Sequence, residues 1–260
     1  EEAERLLPHR LALRLRPTLD RVDALISASD ERGEAGRMSV IAFGIRIFSA
    51  VIAFVSQVLL ARWMGSFEYG IFVLVWTTMI IAGNLACLGF HTSIIRFIPE
   101  FRAKHMMDEL RGILVASRVF VLIASTLIAG AGALGIWLLS PHVETYYVVP
   151  FILGVICMPM IALSDLLQGI SRANAWAFSA LSPTYITRPV LILACMAGAL
   201  LLGYEANAVT AVIAAILATY ATTIAQLVSV TTRVDRRVPR GPIRVHLWTW
   251  FAISLPIFLV

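Results

Sequence analysis

Residues 38–230 form six apolar runs separated by short polar breaks, and the basic residues gather in every second break. The runs cover 38–61, 71–90, 113–139, 148–168, 181–202 and 208–230. Each has about the 20 apolar residues a helix needs to cross a bilayer. A seventh run opens at His246 and is still apolar at Val260. The pattern predicts an all-α polytopic membrane protein: a charged tail at 1–37, a six-helix lobe at 38–230, a basic linker at 231–245 and the start of a seventh span at 246–260. A seventh run of about 15 residues is short for a span. The chain is therefore expected to be the N-terminal part of a longer protein, with a segment lying at the interface as the alternative for 246–260.

Charge placement sets the expected orientation. Of the 21 Lys and Arg, 17 lie in the tail and the alternate breaks that share its side, and one, Arg62, lies on the other side. Positive charge is retained on the cytoplasmic face, which puts the N-terminus inside, as for a multi-pass protein of the cytoplasmic membrane. The net charge of +5 would suit nucleic acid, but basic residues beside helix ends hold topology and meet anionic lipid headgroups instead. A hydrophobic content of 59% and a mean hydropathy of +0.85 exclude a soluble domain. Cys87, Cys157 and Cys195 each sit inside an apolar run, a pattern that makes neither a disulfide framework nor a metal site; no cofactor is implied. Residues 1–37 lack the compact apolar stretch of a signal peptide. Within them, 17–27 place Leu19, Val22, Leu25 and Ile26 on one helical face, which suits either the membrane surface or a partly disordered tail.

The breaks opposite the tail, 62–70, 140–147 and 203–207, are short. They pair the helices into antiparallel hairpins and leave no room for an enzymatic domain. Arg62, Glu68, His142, Glu144 and Glu205 are the only candidate catalytic groups there. The linker 231–245 carries Arg233, Arg236, Arg237, Arg240 and Arg244, and its Pro239, Gly241 and Pro242 oppose a continuous helix.

Polar residues within the runs point to an internal cavity. From Arg46, the positions Ser49, Ala53, Ser56 and Gln57 fall on an arc of about 100°, over roughly 16 Å of the axis. Close helix packing suits the small residues, whereas arginine and glutamine on the same stripe favour a cavity wall. Arg118 and Arg188 are the other two arginines within runs, and all three lie on the order of 8–12 Å in from the tail side. Cations at membrane depth usually face a bundle interior or an aqueous path, and snorkelling is the alternative for each one alone. Convergence on a common cationic vestibule is expected, with Arg46 as its leading member. Asp165 is the one carboxylate well inside a run and shares a helical face with Gln168, Gly169 and Arg172. It is a candidate charge partner for Arg118 or Arg188. Pro150, Pro159, Pro183 and Pro189 are candidate kinks in the fourth and fifth helices.

The stretches LARWMGSFEYGIF at 60–72 and LGFHTSIIRFIPE at 88–100 resemble the polysaccharide-transporter branch of the multidrug/oligosaccharidyl-lipid/polysaccharide exporter superfamily. QGISRA at 168–173, Thr187-Arg188-Pro189 and SLPIF at 254–258 are similar to later parts of the same family. The resemblance implies two six-helix lobes that work by alternating access, with the substrate between them. It further implies a flippase for a polyprenyl-diphosphate-linked oligosaccharide, of the kind that serves O-antigen and exopolysaccharide export, rather than an enzyme. Glycan polymerases or chain-length factors would be its partners, alongside membrane lipids, and the coupling ion is left open. Arginine fits the diphosphate independently, since its planar fork matches phosphate oxygens. A cation-coupled multidrug exporter of the same superfamily is the alternative; its site would favour carboxylates and aromatics over arginine. A membrane-embedded glycan polymerase or ligase is the more distant one, and a structural or partner-binding subunit the last.

Overall fold

A computed structural model describes residues 31–142, 144–239 and 241–259. The amphipathic segment 17–27 lies outside them. Every regular element among the described residues is helical: α1 (Glu31–Ala86), α2 (Phe90–Ala103), α3 (Met107–Leu139), α4 (Thr145–Ala173), α5 (Ala177–Ser182), α6 (Arg188–Leu201), α7 (Ala208–Arg237) and α8 (Leu247–Leu259). A π-helical turn, Pro183–Thr187, joins α5 to α6. The chain divides into two compact units, Glu1–Phe48 and Ser49–Val260. The described part of the first is the helical start of α1.

Phe43–Ala86, Met107–His142, Ala177–Leu201 and Ala208–Arg237 are each long and apolar enough to cross a membrane. Thr145–Val155 and Met158–Ala173 add a fifth candidate, bent by 44°. Pro159 explains the bend, because it has no N–H for the carbonyl one turn back, at Val155. The second unit turns apolar side chains such as Ile123, Leu127, Leu134 and Val228 outward, as expected of a surface bathed in hydrocarbon. The protein is an all-α polytopic membrane protein.

The first of these segments holds 44 residues, about twice what one span requires. The break expected over 62–70 narrows in the structure to one residue, Gly65, with φ 76° and ψ 168°. That conformation is essentially restricted to glycine, so the helix continues on both sides and fails only there. Ala53 and Asn84 both line one cavity, although about 46 Å would separate them along a straight helix. The two arms therefore fold back on each other at Gly65, and each arm has the length of a span.

Glu68, just beyond the bend, accepts a 2.7 Å hydrogen bond from the backbone N–H of Ala208 at the start of α7. Asn207 accepts from the N–H of Thr210 at 2.9 Å. Together they satisfy two otherwise orphaned donors at that helix N-terminus. Glu68, one of the few charged groups on that side, thus has a structural partner.

α4 packs against α2, α3 and α7. Its Ile161, Leu166, Leu167 and Ile170 are fully buried with Phe90, Ile94, Leu110 and Ile113. Glycines set the closest approaches. A Cβ on Gly154 would lie 2.7 Å from the Val75 side chain, and one on Gly83 would lie 2.8 Å from Ile161. At Gly169 the neighbour is backbone, the His91 carbonyl. The basic linker leaves α7 after Arg237 and is held by Arg111, which donates to the carbonyls of Pro239 (2.8 Å) and Pro242 (2.7 Å) and to Asp108 (2.7 Å). α8 then docks through Trp250 against Phe101 and Phe251 against Phe120.

Candidate functional site

A cavity of about 490 Å³ opens within the second unit. Five stretches wall it: the two arms of α1 either side of Gly65, the start of α2 at His91, α4 from Ile161 to Arg172, and the π turn with the first residues of α6. Ser56 and Gln57, from the polar stripe of the first run, line it. The opposite arm contributes Tyr69, Trp76, Thr77 and Asn84. The sequence reading missed these four, yet Tyr69, Trp76 and Thr77, and Asn84 recur at spacings of seven or eight. The periodicity test applied to the first run, carried from Tyr69 through the second, would have found them.

A connected polar network forms the floor. Arg172 donates to Gln168 Oε1 at 3.2 Å. Gln168 Nε2 donates to Thr184 Oγ1 at 2.8 Å and to Asp165 Oδ1 at 3.3 Å. Arg188 Nη2 donates to Ser164 Oγ at 3.0 Å, and that hydroxyl donates to Gln226 Oε1 at 2.9 Å. The π turn matters locally: its extra residue per turn rotates Thr184 and Arg188 onto the α4 side, and such bulges recur at functional sites.

Arg188 is only 4% exposed yet retains an unpartnered Nε–H, and His91 Nδ1 is likewise buried without a partner. Unsatisfied buried polar atoms are costly. Here both belong to residues that line the cavity, where an acceptor such as a phosphate oxygen would satisfy Arg188 with the geometry its fork prefers.

The residues singled out from sequence are distributed unevenly. Arg188, Asp165, Ser56 and Gln57 share the cavity. Arg118 lies apart: its Nη1 donates to Thr231 Oγ1 at 3.0 Å, tying α3 to α7. Ser49 is buried at the start of the second unit. Arg46 belongs to the first unit and is exposed. Cys87 donates its thiol to the Ala162 carbonyl at 3.3 Å, a packing contact between α4 and the end of α1.

No curated protein and no solved structure matches the chain. A family model described as polysaccharide biosynthesis protein matches residues 36–245. The match spans the 60–72 and 88–100 stretches and bears out the resemblance read from them. An all-helical membrane chain, a cavity floored by arginines and a family match over most of its length agree: the chain belongs to the polysaccharide biosynthesis protein family.

Proposed function

We propose that this protein is a flippase that moves a polyprenyl-diphosphate-linked oligosaccharide from the cytoplasmic to the outer leaflet by alternating access, with 38–230 as one six-span lobe. The observation that carries the reading is the chemistry of the cavity. Arg172 and Arg188 supply cationic forks, and Arg188 keeps a buried donor unpaired. Tyr69 and Trp76 on one wall and Tyr185 on another supply ring faces with polar edges, which suit the apolar faces and hydroxyl rims of sugars. A diphosphate would sit against Arg188 and Arg172, with Asp165 balancing the two cations, while the saccharide extends toward Gln57 and Trp76. Binding that opens to one side and then the other requires a facing wall from a second lobe.

The test is translocation in vesicles containing the full chain and a fluorescent polyprenyl-diphosphate saccharide. Expected is protein-dependent exchange of the probe between leaflets, detected by a quencher that cannot cross the membrane. A well-folded preparation that moves a cationic dye but leaves the diphosphate probe in place would favour the multidrug reading and overturn this one.

The orientation belongs to the same proposal, because the substrate is presented from the cytoplasm. After replacement of Cys87, Cys157 and Cys195, Glu144→Cys should react with an impermeant thiol reagent in intact cells and Asp235→Cys should not. The reverse result would turn the topology over.

A further inference from the structure

A second, smaller cavity of about 200 Å³ lies between the α5–π segment and α7. Of these elements only the π turn also borders the main cavity, through Thr184 and Tyr185, whereas its Pro183 and Thr187 face this one. Three of its features point to a ligand with a distinct chemistry along its length.

The first is cationic. At the basic end of α7, Arg233 and Arg237 both stack on Trp176, with guanidinium carbons 5.7 and 5.0 Å from the ring centroid. Arg233 also donates to Ser179 Oγ at 2.8 Å and lines the groove. Among the described residues neither arginine has a carboxylate partner. Asp235, midway between them in sequence, falls on the other side of the helix. Stacking fixes the planes of two forks while leaving N–H groups free to meet an anion.

The second is apolar. Phe178 lines the groove and is 65% exposed, and Ala225 is exposed across from it on α7. This is a hydrocarbon-facing mouth rather than an aqueous one.

The third is a single polar donor in the floor. Gln226 is 4% exposed. Its Oε1 accepts from Ser164, while its Nε2 has no partner. It lies two turns deeper than Arg233, about 10 Å along the axis. A donor buried beneath a hydrocarbon surface lacks water to satisfy it.

We propose that this groove binds an anionic glycerophospholipid of the surrounding leaflet, with the phosphate held by Arg233 and Arg237, an acyl chain against Phe178, and an ester carbonyl accepting from Gln226 Nε2. A polyprenyl chain would not fill the site equally, since it carries no acceptor below its phosphate. The site is separate from the proposed transport cavity and does not depend on the transport reading. It is joined to that cavity by the Arg188–Ser164–Gln226 hydrogen-bond chain and by the shared π turn.

Native mass spectrometry of the full chain, released from detergent with defined lipids, tests the assignment. Phosphatidylglycerol should be retained about tenfold more than phosphatidylcholine, the scale of one charge-assisted hydrogen bond. Arg233→Ala with Arg237→Ala should bring that ratio to near one. Di-ester phosphatidylglycerol should outcompete its di-ether analogue on the unmodified protein, a comparison that needs no variant to fold. Gln226→Leu, checked for an unchanged melting temperature, should erase that ester preference and leave the headgroup preference. Equal retention of the two headgroups, or equal retention of ester and ether lipids, would overturn the proposal. So would a photoreactive group at position 178 that crosslinks to protein, from a second copy or another part of the chain, instead of to lipid.

Discussion

Arg188→Ala is expected to lower the rate of diphosphate-probe translocation by about 100-fold, and Arg188→Lys to recover only a minor fraction. The magnitude follows from losing the charge-assisted hydrogen bond that the unpaired Arg188 donor would make to the substrate, on the order of 1.5–3 kcal/mol. Lysine returns the charge but not the fork. The fold should tolerate the change better than most buried-arginine substitutions. Ser164, which accepts from Arg188, still has Gln226 and Thr184 within hydrogen-bonding distance, so no new orphan is created on α4. Arg118→Ala provides the contrast. Arg118 bridges α3 to Thr231 on α7 and does not line the cavity, so its loss should lower the melting temperature with little change in translocation per folded molecule. Rates normalised to folded protein separate the two effects. An Arg188→Ala protein that keeps more than half the normal rate would show that the cavity arginine does not hold the substrate.

The contrast between these arginines shows what a sequence can and cannot specify. Depth along a helix is countable, because each residue advances 1.5 Å whatever surrounds it. Equal depth made Arg118 and Arg188 look like members of one constellation. Azimuth is the second coordinate, and it depends on which face packs inward. On α3 that face carries Ser117, Val121 and Ser125, and Arg118 turns toward α7. For Arg188 the azimuth was further altered by the π turn at Pro183–Thr187, which shifts every following residue by an amount no regular 3.6 period anticipates. The stripe through Ser56 and Gln57 was legible because it lies on uninterrupted helix, where periodicity alone places side chains. The spans were legible because the bilayer imposes their length. The narrowness of the Gly65 break was not: the polar residues of 62–70 read as a loop, but they continue the helix beyond the membrane edge up to the one position where the backbone turns.

Gly169→Ala is expected to destabilise the second unit by about 1–3 kcal/mol, the range for overpacking a filled interior, and Gly169→Leu to abolish recovery of folded protein. In the sequence this glycine was only one member of the face shared by Asp165, Gln168 and Arg172. In the structure it is where α4 crosses the start of α2. A Cβ there would run into the His91 carbonyl and come within 2.9 Å of the Ile94 side chain. The carbonyl is main chain inside a helix and cannot swing aside, so the two helices must separate. Separation would pull His91 away from Gln168 and Arg172, which wall the same cavity, and translocation should fall along with stability. Gly70→Ala is the matched control. Gly70 is also helical, but a Cβ there meets nothing within 4 Å, so removing a glycine should leave stability unchanged or raise it by up to about 1 kcal/mol. Melting temperatures of the two variants, taken beside the translocation rate, distinguish a backbone crossing from a general intolerance of glycine replacement. If Gly169→Ala melts no lower than Gly70→Ala, the α2–α4 crossing is looser than its geometry implies, and His91 is not held against the cavity by it.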